Sequence, residues 1–156
     1  MWMKRRNDNL MKNNSTVLVC VTAQPSSEEL IRAAKALAQK NRAELEVVSV
    51  LPIADTPGGI NCEVLEVLYC AAKKQGGDMA IYFSDDPVLT ISAHIGKRKP
   101  LAVVTGFPGE NSAGFVAGIH LLFPCLPVMM VNKDGKIYSM LPAGAVRESE
   151  KSGKVI

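Results

Sequence analysis

Short, β-branched apolar runs alternate with one-sided helical segments from residue 16 onward, and that alternation restricts how the chain can layer. Val17-Leu-Val-Cys-Val21 is continuously apolar, as a strand covered on both faces must be. In Pro25-Ser-Ser-Glu-Glu29, Ser26 and Glu29 are spaced as a capping box. Behind it Leu30, Ala33, Ala34, Leu37 and Ala38 share one helical face, and Arg32, Lys35, Gln39 and Lys40 the other. Glu44 to Leu51 supplies a second strand through Leu45, Val47, Val48 and Val50. After a loop from Pro52 to Gly59, a helix from about Asn61 turns Leu65, Leu68 and Ala72 inward and stops at Gly76-Gly77.

Met79 to Phe83 is the third strand. Asp86 before Pro87 gives an N-cap and a proline at the first helical position. That helix runs to Gly96 with Val88, Ile91 and Ile95 inward, and Lys97, Arg98 and Lys99 complement the dipole at its end. Leu101 to Val104 forms strand four, and Ser112 caps a helix with Phe115, Val116, Ile119 and Leu122 inward. Pro127 to Val131 is strand five. Asn132-Lys-Asp-Gly135 is a turn, after which Lys136 to Leu141 can fold back as a short hairpin strand. Right-handed crossovers then predict an α/β three-layer sandwich, a five-stranded, mostly parallel sheet with helices on both faces. The expected domain covers 15–141, with a disordered basic leader at 1–14 and a flexible tail at 142–156. Such sheets take ligands at the carboxyl ends of their strands, beside the point where strand order reverses.

Charge and cysteine usage narrow the function classes. The net charge of +3 resides in residues 1–14, where Lys4, Arg5, Arg6 and Lys12 face Asp8; the other 14 basic and 14 acidic residues balance. A nucleic-acid-binding body is therefore not expected, since its basic residues would cluster among aromatics. No apolar run approaches the roughly 20 residues of a membrane span. Cys20, Cys62, Cys70 and Cys125 form no short-spaced pair, and His94 and His120 stand apart, so no metal site is expected. Cys20 and Cys125 read as buried, inert thiols, and scattered cysteines fit a reducing cytoplasm. No nucleophile–base pair or dyad of free carboxylates emerges, so no catalytic residue is assigned and a binding module is expected rather than an enzyme.

Leu18-Val-Cys-Val-Thr-Ala-Gln-Pro-Ser-Ser-Glu-Glu-Leu-Ile-Arg-Ala-Ala34, with the helix and valine-rich strand behind it, resembles the opening of a universal stress protein. More specifically it resembles the stress-protein-like module of KdpD-type sensor histidine kinases. Ala72 to Met79, Ser84-Asp-Asp86 and Val103-Val-Thr-Gly106 continue the likeness, which spans roughly residues 16–132. The resemblance implies the adenine nucleotide alpha hydrolase-like fold with strand order 3-2-1-4-5. It also implies homodimerisation through strand five, and ATP, AMP or cyclic di-AMP as ligand for a cytoplasmic regulatory input.

The same resemblance places a pocket. ATP-binding members carry an Asp just after strand one, where this chain has Thr22, followed by Ala23 and Gln24. They also carry Gly-x-x-Gly, a nine-residue spacer and Gly-Ser or Gly-Thr; Gly106-Phe-Pro-Gly109 matches the first half. The second half fails, because Gly118 comes one residue early and Ile119 follows it, unless Ser112 supplies the hydroxyl from a trimmed loop. Candidate ligand contacts are thus Thr22, Ala23, Gln24, Ser49, Asp85, Gly106, Gly109 and Ser112. The plainer alternatives are turn chemistry at Gly106 and Gly109, rim solvation by Thr22, Gln24 and Ser49, and helix capping by Ser84 to Asp86. A structural dimerisation module without a ligand is the competing function, and a nucleotide-processing enzyme ranks behind both.

Overall fold

The computed structural model describes residues 15–22, 27–53, 62–106 and 113–140. Ten elements follow one another: β1 (Thr16–Val21), α1 (Ser27–Lys40), β2 (Glu44–Leu51), α2 (Cys62–Lys74), β3 (Asp78–Phe83), α3 (Pro87–Arg98), β4 (Ala102–Gly106), α4 (Ala113–Leu122), β5 (Val128–Val131) and β6 (Ile137–Met140). The expected leader and tail, and the Ser26 half of the capping box, lie outside the described residues.

The strands form one sheet in the order β3-β2-β1-β4-β5-β6. β1 to β5 are parallel, and β6 runs antiparallel to β5. The sheet therefore has six strands, correcting the expected five. The Asn132–Lys136 turn makes the sixth possible: the Asn132 side-chain oxygen accepts from the amides of Asp134 and Lys136, both at 2.9 Å. That pins the reversal and lets Ile137 pair with Val131. The β5 edge, expected to join two copies, is consequently occupied by β6 of the same chain.

Strand alternation sorts the core into two layers. Val17, Val19, Val21, Leu45, Val47 and Val104 face α1 and α2, where Leu30, Ile31, Ala34, Leu68 and Ala72 close over them. Leu18, Val48, Val103, Val128 and Met130 face α3 and α4, meeting Ile91, Ile95, Val116 and Ile119. Each of the valines, leucines, isoleucines and methionine among them contributes about 1.5–3 kcal/mol by leaving water. Leu122, expected in this core, is 55% exposed, because α4 ends there and its last turn overhangs the sheet. α3 also outlasts its expected stop at Gly96 and reaches Arg98, with Lys99 as a left-handed cap (φ 51°) whose amide bonds the Ile95 carbonyl. Gly96 is no breaker here: a Cβ at that position would meet only open space.

α2 ends as the sequence predicts. Gly77 donates to the Ala72 carbonyl at 2.8 Å and Gly76 to that of Lys73 at 2.9 Å, with Gly76 at φ 77°. This is the paired bonding of a Schellman motif. Gly77 then passes so close to β2 that a Cβ would lie 2.7 Å from the Leu45 carbonyl oxygen. Gly77→Ala should lower stability by about 1–3 kcal/mol through overpacking against backbone. Urea denaturation should show a lower midpoint with an unchanged slope.

Candidate functional site

After β1 the chain turns to α1 on one face of the sheet, and after β4 it turns to α4 on the other. The crevice between the carboxyl ends of β1 and β4 is therefore crossed by neither helix, which is the switch point of a doubly wound sheet. The two strands pair up to Cys20 and Thr105, so Thr22 and Gly106 flank the crevice directly. Thr22 is exposed, and its carbonyl accepts a hydrogen bond from the Ser27 hydroxyl at 2.9 Å, which ties the start of α1 to the end of β1. Gly106 is half-buried, and a Cβ there would make only ordinary contact with Leu30 at 3.9 Å.

The two helix starts beside the crevice differ electrostatically. α1 carries Glu28 and Glu29 in its first turn, which already complement the positive end of its dipole. α4 has no acid in its first turn, and a Cβ on its Gly114 would meet nothing within 4 Å. An anionic group is thus better accommodated at the β4–α4 side than beside α1.

Of the other candidates, Ala23, Gln24, Gly109 and Ser112 lie outside the described residues. Ser49 pairs with Val21 in the sheet but is fully buried, so it does not solvate the rim; its hydroxyl finds no partner. Asp85 sits after β3, two strands from the crevice, and accepts from the Ile53 amide at 3.0 Å. It thereby joins the loop ends of β2 and β3. Asp86 alone caps α3, accepting from the Leu89 amide at 3.1 Å. The fold brings Thr22 and Gly106 together and leaves Asp85 apart.

One polar cluster escaped the sequence reading. His94, expected to stand alone, is buried with its Nε2 3.0 Å from Glu46 Oε1 and its Nδ1 2.8 Å from the Tyr82 hydroxyl. Arg98 donates to the other Glu46 oxygen at 3.0 Å. A carboxylate only accepts, so neutral His94 carries its proton on Nε2, and Nδ1 accepts from Tyr82. Tyr82, His94 and Lys97 also line a surface cleft of about 350 Å³ on the β3 side of α3. The available signal was Glu46, an acid flanked by Leu45 and Val47 within β2, a strand that both helical layers cover. A charge there must be paired. The cluster belongs to the α3 side of β2 and β3, away from the crevice.

Cys20 packs against the α3–α4 layer, and burial pushes its thiol up to about 12 although the residue is only half-buried by area. Cys125, expected to be buried, is exposed, because the loop after α4 turns it outward. Among the described residues no three His, Cys, Asp or Glu side chains gather as a metal site would require. No helix among them is long and apolar enough to cross a membrane.

No family model matches the chain, and no curated protein matches it by sequence. Solved structures do match. A universal stress protein from Archaeoglobus fulgidus superposes with a TM-score of 0.61 at 18% identity, over 77% of this chain and 96% of its own. The fold is the universal-stress-protein fold. A universal stress protein in complex with cAMP gives 0.57 at 18% identity, over 76% of this chain and 97% of its own. One from Archaeoglobus fulgidus in complex with dAMP gives 0.52 at 18%, over 74% and 94%. The same layering recurs in a hydratase and a deacetylase at lower identity, so the fold does not itself assign a function.

Two measurements check this account. Glu46→Ala strands the Nε2–H of buried His94, and should cost about 2–4 kcal/mol in chemical denaturation. Alkylation at pH 8 followed by peptide mapping should modify Cys70 and Cys125 in minutes and spare Cys20 until the protein unfolds, because so little Cys20 is thiolate.

Proposed function

We propose that this protein is a sensory module that binds an adenine nucleotide in the crevice between β1 and β4 and works by binding rather than by catalysis. The observation that carries the reading is the position of Thr22 and Gly106 on either side of a switch point that neither α1 nor α4 crosses. Two proteins of the same fold are in complex with adenine nucleotides, cAMP and dAMP. The glycine at the end of β4 lets backbone approach a ligand, and the α4 start, free of acids in its first turn, suits a phosphate. Thr22 replaces the acid that ATP-binding relatives are expected to carry, keeping a hydroxyl that donates or accepts without adding negative charge. Ala23, Gln24, Gly109 and Ser112 complete the proposed contacts; Ser49, sealed within the sheet, and Asp85, two strands away, are left out of them.

The resemblance to KdpD-type kinases makes a cytoplasmic regulatory input the physiological setting within this proposal, with cyclic di-AMP among the ligands to try. The alternative of a structural dimerisation module through β5 has less to rest on, because β6 already occupies that edge. A second copy would have to displace β6 or pair with it.

Thermal unfolding with AMP, cAMP, ATP and cyclic di-AMP tests the proposal. A ligand at 100 times its dissociation constant should add about 2.7 kcal/mol of apparent stability. Gly106→Val should abolish the gain while the protein still folds. A folded protein whose melting responds to none of the four would overturn the reading.

A further inference from the structure

The opposite end of the sheet, where the strands begin, carries a second surface with a distinct chemistry. The ends of α3 and α4 and the loops that follow them enclose an open cleft of about 470 Å³. Ile95, Pro100, Leu122, Phe123 and Leu126 line it, with Lys99 at the rim. Large apolar side chains stand out into solvent around it: Leu121 is 79% exposed, Leu122 55% and Leu101 41%. Lys99 is exposed at this cleft, and Arg98, one residue before it, keeps one side open while it bonds Glu46. From Pro87 to Lys133 the sequence contains a single acid, Glu110, which precedes α4 in the chain. This face is therefore apolar at its centre and cationic at its margin, with no carboxylate in either α3 or α4.

We infer that this end of the molecule docks on an anionic lipid bilayer, with Leu121 and Leu122 entering the headgroup region and Lys99, with the free side of Arg98 next to it, resting on lipid phosphates. Charge selects this occupant. A second copy of the chain, seated by two-fold symmetry, would set the lysines of both copies against one another. A bilayer of anionic lipid supplies negative charge at the margin and hydrocarbon at the centre, which is the pattern the surface presents. Lys99 adds a structural point. It holds a left-handed cap conformation that glycine adopts without strain, so replacing it with glycine removes the ammonium and relaxes the backbone together. The surface lies at the far end of the strands from the β1–β4 crevice, so a docked molecule keeps that crevice open to solvent.

Vesicle co-sedimentation of the full chain tests the inference. The protein should bind vesicles of phosphatidylcholine containing about one-third phosphatidylglycerol, should ignore pure phosphatidylcholine, and should release at about 0.5 M salt. Lys99→Gly should weaken binding about fivefold, as loss of one surface lysine predicts, with an unchanged or higher melting temperature. Leu121→Ser with Leu122→Ser should weaken it further, and since both side chains are already exposed the fold should survive. An environment-sensitive dye on Cys125, in a Cys62→Ser, Cys70→Ser background, should shift to the blue on anionic vesicles because Cys125 lines the cleft. The basic residues Lys4, Arg5, Arg6 and Lys12 provide the control, since they alone could draw the chain to negative lipid. Absence of binding would overturn the inference. So would binding that Lys99→Gly and the leucine variants leave intact, whether or not neutralising the four leader residues removes it.

Discussion

Burial of β1 on both faces is the constraint on which the rest of the molecule depends. Val17, Leu18 and Val19 lose all contact with solvent, so every backbone amide and carbonyl beside them needs a partner within the sheet. β2 supplies one set and β4 the other, both parallel. Parallel neighbours require crossover helices, and α1–α2 and α3–α4 are the covers that those crossovers deliver. Strand order, layering and the position of the crevice all follow from placing that one strand at the centre.

The same constraint explains the cluster around Glu46. β2 lies beside β1 and is likewise covered twice, so its one buried acid faces α3 rather than water. His94 and Arg98 reach it from successive turns of that helix, and Tyr82 reaches His94 from β3. The arrangement ties α3 to the β2–β3 half of the sheet, while the α3–α4 core holds the other half. Arg98 serves it from the last turn of α3, which gives the helix a reason to continue past Gly96.

The two ends of the sheet then take on different characters. At the carboxyl end, Thr22 after β1 and Gly106 at the end of β4 stand side by side, with α1 and α4 on opposite faces of the sheet. At the amino end, α3 and α4 finish together, and their final turns overhang the strands with leucine and lysine outermost. The chain direction of parallel strands makes this polarity unavoidable, since β1 to β5 all begin at one end.

Local chemistry determined much of this from the sequence. The apolar runs, the Asp86–Pro87 start of α3 and the Gly76–Gly77 stop of α2 act through bonds between neighbouring residues, so they are legible without a fold. The place of the crevice came from the resemblance, which implied the strand order that sets β1 beside β4, as the sheet has it. Only the tertiary structure decided that His94 meets Glu46, which is 48 residues away. It also decided that Asp85 serves the β2 loop instead of the crevice, that Ser49 is sealed inside, that β6 closes the sheet, and that Leu122 and Cys125 face outward. Those outcomes depend on which side chains from distant segments arrive in the same space, and a pattern of period 2 or 3.6 carries no information about that.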